Sequence, residues 1–290
     1  MHASARTRDR LRVRDGVDSN AVEALTERSL RGVALCSAAA LVLFLCIPLV
    51  AMVWRLVRDG RGISPEALAT LRDAMTLSLI STAIAMVIVL ATGTPLAFFL
   101  ARRPFRGSRL IDTLVDLPIV LPPAVAGIAL LVAFGRNGLI GRWLATMGIT
   151  LGFTTTAVIL AQVFVAAPFF VRAAKSGFQR VDMDLEEAAA DLGASPLRTL
   201  RTVTFPMALP SLMAGAVLAW ARALGEFGAT IMFAGNFPGV TQTMPLAIYA
   251  RFGAGDLTSA LVLSLVLLVA SVIILFGLRL LSARTGTPVI

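Results

Sequence analysis

The feature that most constrains this chain is a set of six apolar stretches, each near the length of a bilayer crossing. They fall at 33–54, 76–101, 114–134, 154–171, 209–233 and 257–281. A helix needs ~20 apolar residues to cross the hydrocarbon core. Backbone groups in hydrocarbon must be satisfied within their own segment, so each stretch is expected to be helical. Composition agrees: 57% of the 290 residues are hydrophobic and 15% are charged, against about a quarter charged in soluble domains. The expected fold class is all-α: a polytopic membrane protein with six transmembrane helices and the lipid bilayer as its solvent.

The distribution of charge says more than the net charge of +9. With the N-terminus inside, the inner segments hold seven Lys/Arg at 1–32, four at 102–109, five at 172–201 and two at 279–284, 18 in all. The outer segments hold four at 55–72, two at 136–142 and Arg251, and Arg222 lies within a span. The positive-inside rule therefore puts both termini in the cytoplasm. No nucleic-acid partner is expected, because the basic residues interleave with apolar spans and form no exposed patch. Residues 1–32, with Arg6, Arg8, Arg10, Arg12, Arg14, Arg28 and Arg31, are too long and polar for a signal peptide. They read as a disordered arm that fixes orientation. Cys36 and Cys46 lie about 15 Å apart along a helix and cannot bridge.

Prolines punctuate the third stretch at Pro118, Pro122 and Pro123, and the fourth at Pro168. Membrane helices tolerate proline where neighbours re-satisfy the freed carbonyls. Breaks near a solute route and simple packing kinks both fit, and no internal repeat is evident.

The longest inner connection, 181–206, is not a slack linker. Asp184 is expected to cap a short helix, with Glu187 three residues on as its capping-box partner. Gly193 suits the left-handed position that ends it. Ser195 then caps a second helix with Pro196 at its first position, and Pro206 is expected to limit that helix. On the first helix Leu185, Ala188, Ala189 and Leu192 follow helical spacing and form one apolar stripe. Glu186, Glu187 and Asp191 flank it. A water-facing loop needs such a stripe only if something docks there.

These residues carry a resemblance. Glu187-Ala188-Ala189, then Gly193, then Val203-Thr204-Phe205-Pro206 resembles the EAA loop of binding-protein-dependent ABC importer permeases. Valine and phenylalanine stand where isoleucine and leucine are usual. A second stretch, Ala221 to Asn236 followed by Thr241 to Tyr249, resembles the fifth span and outer loop of molybdate-transport permeases, with related versions in sulfate and tungstate permeases.

The resemblance covers residues 74 to 281 and implies a type I ABC importer permease fold. It implies an organisation of a basic cytoplasmic tail at 1–32, a first span and outer loop at 33–73, the permease core at 74–281 with the EAA loop at 181–206, and a short cytoplasmic tail at 282–290. By this resemblance Leu185, Glu186, Glu187, Ala188, Ala189, Asp191, Leu192, Gly193 and Pro206 form the coupling segment that meets an ATPase. The implied partners are a second permease copy, a cytoplasmic ABC ATPase dimer and a periplasmic or lipid-anchored molybdate-binding protein. The implied location is the bacterial inner membrane. A sulfate or tungstate importer is the alternative within the class, and a secondary anion carrier the alternative outside it.

The chain has no chemistry of its own for hydrolysing ATP. A Walker A loop needs Gly-x-x-x-x-Gly-Lys-Ser/Thr to cradle phosphates, and the single lysine, Lys175, follows Ala174. ATP and Mg are therefore expected on the partner ATPase, with no cofactor or metal here. The lone histidine, His2, allows no histidine-based triad or zinc motif. Only Arg222 and Glu226 are ionisable deep within a span, a position that defaults to function. They stand four apart on one helix and can pair with each other, or Arg222 can supply positive potential to an anion route with Glu226 restraining it. Gly225, Gly228 and Thr230 would allow close helix approach across a subunit interface. Thr230 and Asn236 complete the expected substrate route, and Thr241, Gln242 and Thr243 are expected as solvated or entrance-lining loop residues.

Overall fold

The computed structural model describes the backbone of residues 3–60, 65–102 and 105–284. Side chains at 1–29, 278, 279 and 281–284 lie outside the described residues, and with them six arginines of the basic tail, Arg279 and Arg284. Arg103 and the C-terminal residues 285–290 lie outside them too. Every regular element among the described residues is helical. The chain divides into two units, Met1–Gly60 and Arg61–Ile290.

The first unit is one helix, α1 (Ala3–Asp59), whose candidate span is Leu30–Asp59. Where the sequence suggested a disordered arm, the backbone is helical from Ala3 onward. No proline interrupts it before Pro48, so the helix nucleated by the apolar stretch propagates outward at little cost. Cys36 and Cys46 are free thiols.

In the second unit the apolar stretches form α2 (Pro65–Arg102), α3 (Ser108–Val120), α4 (Pro123–Phe134), α6 (Thr155–Gln179), α9 (Phe205–Leu224) and α12 (Leu257–Arg284). The connections carry α5 (Gly141–Thr146), α7 (Met183–Asp191), α8 (Pro196–Thr199), α10 (Gly228–Phe233) and α11 (Met244–Gly253). Among the described residues of both units, five helices are long and apolar enough to cross a membrane, α1 included, and six crossings result if α3 and α4 together make one.

Two stretches depart from the straight helices expected of them. The third is broken between α3 and α4 by a bend of 118°. Leu121 and Pro122 each precede a proline, which disfavours helical backbone, and both are extended, at ψ 131° and 137°. Pro123 then starts α4, where its missing N–H costs nothing. The two halves have 13 and 12 residues, so neither alone reaches across a bilayer. The fifth stretch stops at Leu224 and resumes as α10 after a break at 225–227. Pro168, in contrast, leaves α6 unbroken.

The centre of this unit is α6, packed on α2 and α9. Phe170 and Phe178 of α6 are fully buried between Val89 and Ala97 of α2 and Ala208 and Leu212 of α9. Bilayer lipid is as apolar as these side chains, so close backbone approach, not water exclusion, holds such helices together. Gly215 shows the tightness: a Cβ there would stand 2.7 Å from Ala173 Cβ. A second cluster joins α4, α6 and α10, and a third joins α2, α11 and α12.

Outside the spans, Asp256 caps α12, its Oδ1 accepting the Ser259 N–H at 3.1 Å. The hydrogen bonds from the Ser259 hydroxyl and then its N–H hold the carboxyl below its ordinary 3.8, with the Arg251 charge in the same direction and slight burial opposing. A lowered carboxylate pKa adds stability that is complete above the unfolded value and is lost as pH falls through the folded one. Asp256→Asn is therefore expected to lower the unfolding temperature in detergent at pH 7. The gap to wild type should close as the buffer is taken below the ordinary carboxylate range; a gap constant with pH would remove the carboxylate from the explanation.

Candidate functional site

The loop 181–206 folds as helix, glycine turn, helix, with three local differences from the sequence reading. Asp182, not Asp184, caps α7: its side chain accepts the Asp184 N–H at 3.1 Å. Asp182 has extended backbone, as the capping residue requires, and Asp184 is left in the first turn, where a negative charge suits the helix dipole. Gly193, at φ +82°, ends α7 as expected. The Gly193 N–H donates to Ala190 O and the Ala194 N–H to Ala189 O, at 2.9 and 3.0 Å, the two bonds of a Schellman motif. Ser195 sits at the cap position of α8 without a side-chain hydrogen bond to it.

Pro206 does not limit the second helix. After α8 the backbone widens into a π turn, Leu200–Thr204, and continues as α9. In this turn the Phe205 N–H reaches Leu200 O, one residue further back than in an α-helix. Proline donates nothing and crowds the carbonyl four residues back, and the wider π turn just before it accommodates that. The segment Pro196–Leu224 is consequently one 29-residue rod running from the loop into the membrane stretch.

The face that α7 presents differs from the expected stripe. Leu185, Ala188 and Leu192 are exposed, Leu192 at 90%, while Ala189 is half-buried. Asp184, Glu187 and Asp191 are exposed on the other flank. The outward surface of α7 thus has an apolar half and an acidic half. Glu186 is not on it. At 100° per residue Glu186 lies nearly opposite Ala188, and its Oε1 accepts from Arg102 Nη2 at 2.9 Å and Thr204 Oγ1 at 2.6 Å. Arg102 Nη2 also donates to Val181 O at 3.0 Å. Sequence reading had no means to find Arg102 or Thr204, which lie 84 and 18 residues from Glu186. It also missed two ion pairs between α3 and α6: Lys175 Nζ to Asp112 Oδ1 at 2.7 Å, and Arg172 Nε to Asp116 Oδ1 at 2.6 Å.

Arg222 and Glu226 pair with each other, Nη1 to Oε2 at 2.6 Å, with side chains 30% and 1% exposed. Glu226 lies in the break after α9, and its Oε1 accepts the Ala229 N–H at 2.7 Å. The arginine stands in the last turn of α9 and the glutamate just before α10, so each charge suits its own helix dipole. Arg222→Ala would leave a nearly buried carboxylate without its cation, a loss of about 2–4 kcal/mol allowing for the partial exposure of Arg222. We expect lower thermal stability for Arg222→Ala and substantial recovery in Arg222→Ala/Glu226→Gln. If the double variant recovers stability but not uptake, while Glu226→Gln alone transports normally, Arg222 also serves the solute.

The remaining route residues are held elsewhere. Thr230 is fully buried on α10. Asn236 donates from Nδ2 to Leu246 O at 3.3 Å. Thr241, Gln242 and Thr243 are buried, not solvated; Thr241 Oγ1 accepts the Phe237 N–H at 2.9 Å. Of the small residues expected at a subunit interface, Gly228 and Thr230 serve contacts within the chain, a Cβ on Gly228 standing 2.5 Å from Pro123 Cβ of α4 and Thr230 being fully buried, while Gly225 is exposed. Among the described residues, no group of His, Cys, Asp and Glu is arranged to hold a metal ion.

Comparison with known proteins agrees with this architecture. Residues 93–287 match the family described as binding-protein-dependent transport system inner membrane component. The chain is 43% identical over 244 residues to the molybdenum transport system permease protein ModB of Mycobacterium bovis, covering 84% of this chain and 90% of that one. It is 35% identical over 243 residues to a probable sulfate transport system permease protein of Chlorokybus atmophyticus, covering 82% and 84%. Its fold is similar to that of a chain of a bacterial ABC transporter that imports the acidic polysaccharide alginate, with a TM-score of 0.69 at 15% identity, covering 88% and 95%. With its multi-pass helices and its loop at 181–206, this chain belongs to the binding-protein-dependent ABC importer permeases, as a membrane-spanning subunit and not an enzyme.

Proposed function

We propose that this chain is the permease subunit of an ATP-driven molybdate importer in the bacterial inner membrane. Two copies form the pathway, both termini lie in the cytoplasm, and two ABC ATPase subunits bind ATP and Mg beneath them. A periplasmic or lipid-anchored binding protein delivers the anion from outside. The outward face of α7 carries the reading: Leu185, Ala188 and Leu192 stand exposed on a loop joined to a rod that enters the membrane. Ala188, at the middle of this face, lets an ATPase surface approach closely. The acidic flank of Asp184, Glu187 and Asp191 supplies complementary charge to basic groups at the rim of that surface.

The transport step needs no chemistry in this chain. Closure of the ATPase pair moves the two α7 helices, and the rods Pro196–Leu224 carry that motion into the membrane as rigid bodies. An external energy source suits the cargo. Moving one charge against 100 mV takes ~2.3 kcal/mol, so a dianion entering a negative-inside cell opposes about 4.6 kcal/mol before any concentration gradient. A proton-coupled carrier would need a relay of intramembrane acids, whereas Glu226 is committed to Arg222 and the α10 backbone.

Molybdate is favoured as substrate by the likeness to ModB, which exceeds that to the sulfate permease. The test is uptake of labelled molybdate by proteoliposomes holding this chain, its ATPase and its binding protein. Uptake that needs ATP and survives excess sulfate is expected. Uptake abolished by sulfate would change the substrate and keep the importer; uptake indifferent to ATP would overturn the mechanism.

A further inference from the structure

The side chain of Glu186 turns away from the surface that α7 presents, and the contacts it makes there join four parts of the chain. We propose that Arg102, Glu186 and Thr204 form a polar clamp that makes α7 move with the membrane helices, so that Glu186 acts as a positioning residue for force transfer and not as an ATPase contact. The proposal rests on the reading of α7 as the docking helix.

Three observations support it. No residue of α7 is buried, so apolar packing alone holds this helix weakly to the body it must move. The clamp supplies what packing lacks. Arg102, 10% exposed at the end of α2, donates from Nη2 both to Glu186 Oε1 and to Val181 O at the joint between α6 and α7. Thr204, buried in the π turn that leads into α9, donates to the same carboxylate oxygen. Hydrogen bonds to an ionised carboxylate are shorter and stronger than neutral ones, and they fix orientation as well as distance.

The arrangement also decides where a push on α7 goes. Glu186 ties α7 to α2 through Arg102 and to α9 through Thr204, while Val181 ties the end of α6 to the same guanidinium. These are the three helices whose packing forms the centre of the unit. A displacement of α7 is thereby shared among all three, instead of being absorbed by bending of the loop at Gly193. With Glu186 inward, Leu185, Ala188 and Leu192 face out.

The experiment uses the complete importer in proteoliposomes and reads two quantities: retention of the ATPase during purification, and labelled molybdate taken up per ATP hydrolysed. Glu186→Ala is expected to keep the ATPase bound, since its docking face is intact, and to lower uptake per ATP about tenfold. Glu186→Gln keeps an oxygen for both donors and should restore most of the coupling, whereas Glu186→Met, of similar size but without that acceptor, should behave as the alanine variant does. Thr204→Val, nearly isosteric, should lower the ratio about threefold and decides the matter if Glu186→Ala fails to accumulate. Normal uptake per ATP in Glu186→Ala and Thr204→Val would overturn the clamp, as would loss of the ATPase from Glu186→Ala, which would make Glu186 a docking contact. Ala188→Glu separates the two readings. If that variant sheds the ATPase while the clamp variants couple normally, the clamp alone fails; if it keeps the ATPase and full uptake, the docking face fails and the clamp with it.

Discussion

Ala188→Glu is expected to leave the permease folded in the membrane and to weaken its hold on the ATPase by at least about 100-fold. Ala188 lies at the middle of the outward face of α7, between the apolar half at Leu185 and Leu192 and the acidic half at Asp184, Glu187 and Asp191. It is exposed in the isolated chain, so a longer side chain meets nothing there and folding is unaffected. In the importer proposed above the same position is covered by the ATPase. A carboxylate introduced there must be desolvated without a partner, which costs several kcal/mol, and its length also holds the two surfaces apart. Copurification of the ATPase with the variant, set beside the variant's own thermal stability, is the measurement. Full retention of the ATPase would remove Ala188 from the interface and, with it, the docking assignment for α7.

The second large effect concerns folding. In Gly127→Leu the new Cβ would stand 2.6 Å from Ala229 O, 2.7 Å from Met232 Cβ and 2.9 Å from Ala229 Cα. Backbone atoms cannot swing aside as a side-chain tip can, so α4 and α10 must separate. Overpacking of this kind costs typically about 1–3 kcal/mol, and here the upper end is expected because both elements are short. The contact also holds the second half of the broken third stretch, which has few other attachments of comparable closeness. Gly127→Leu should therefore accumulate poorly and melt early in detergent, while Gly127→Ala should be intermediate. Wild-type melting for the leucine variant would mean that α4 and α10 are not packed as described.

Much of the fold was legible in the residue pattern because hydrocarbon leaves few choices. Long apolar stretches must be helices, and the four that became α1, α2, α6 and α12 follow the expected positions with extended ends. The glycine turn at Gly193 was legible for a similar reason, since few residues other than glycine adopt a φ of +82° without strain. The break at Leu121 and Pro122 was signalled by consecutive prolines, yet the same signal also fits a modest kink. The 118° bend goes with the packing of α4 on α10 and the ion pairs of α3 with α6.

The loop 181–206 shows the same division. Its sequence showed that a short amphipathic helix stands between spans, because the spacing of Leu185, Ala188 and Leu192 and the residues Gly193 and Pro196 act locally. It did not show which way that helix faces. Rotation about a helix axis is settled by partners far along the chain, and Arg102 on α2 is indistinguishable in sequence from a charge that merely sets topology. Pro206 was misjudged for a related reason: whether a proline ends a helix depends on whether the preceding turn can widen. Arg222 and Glu226 were legible as a pair from their spacing of four, but the bond from the Ala229 N–H to Glu226 required α9 to stop at Leu224. The sequence alone thus determined the long helices and the place of the short amphipathic helix between them, both consequences of solvation and local geometry. Tertiary structure alone decided where helices break, which face of α7 is presented and which polar groups are buried, because these depend on contacts between residues distant in the chain.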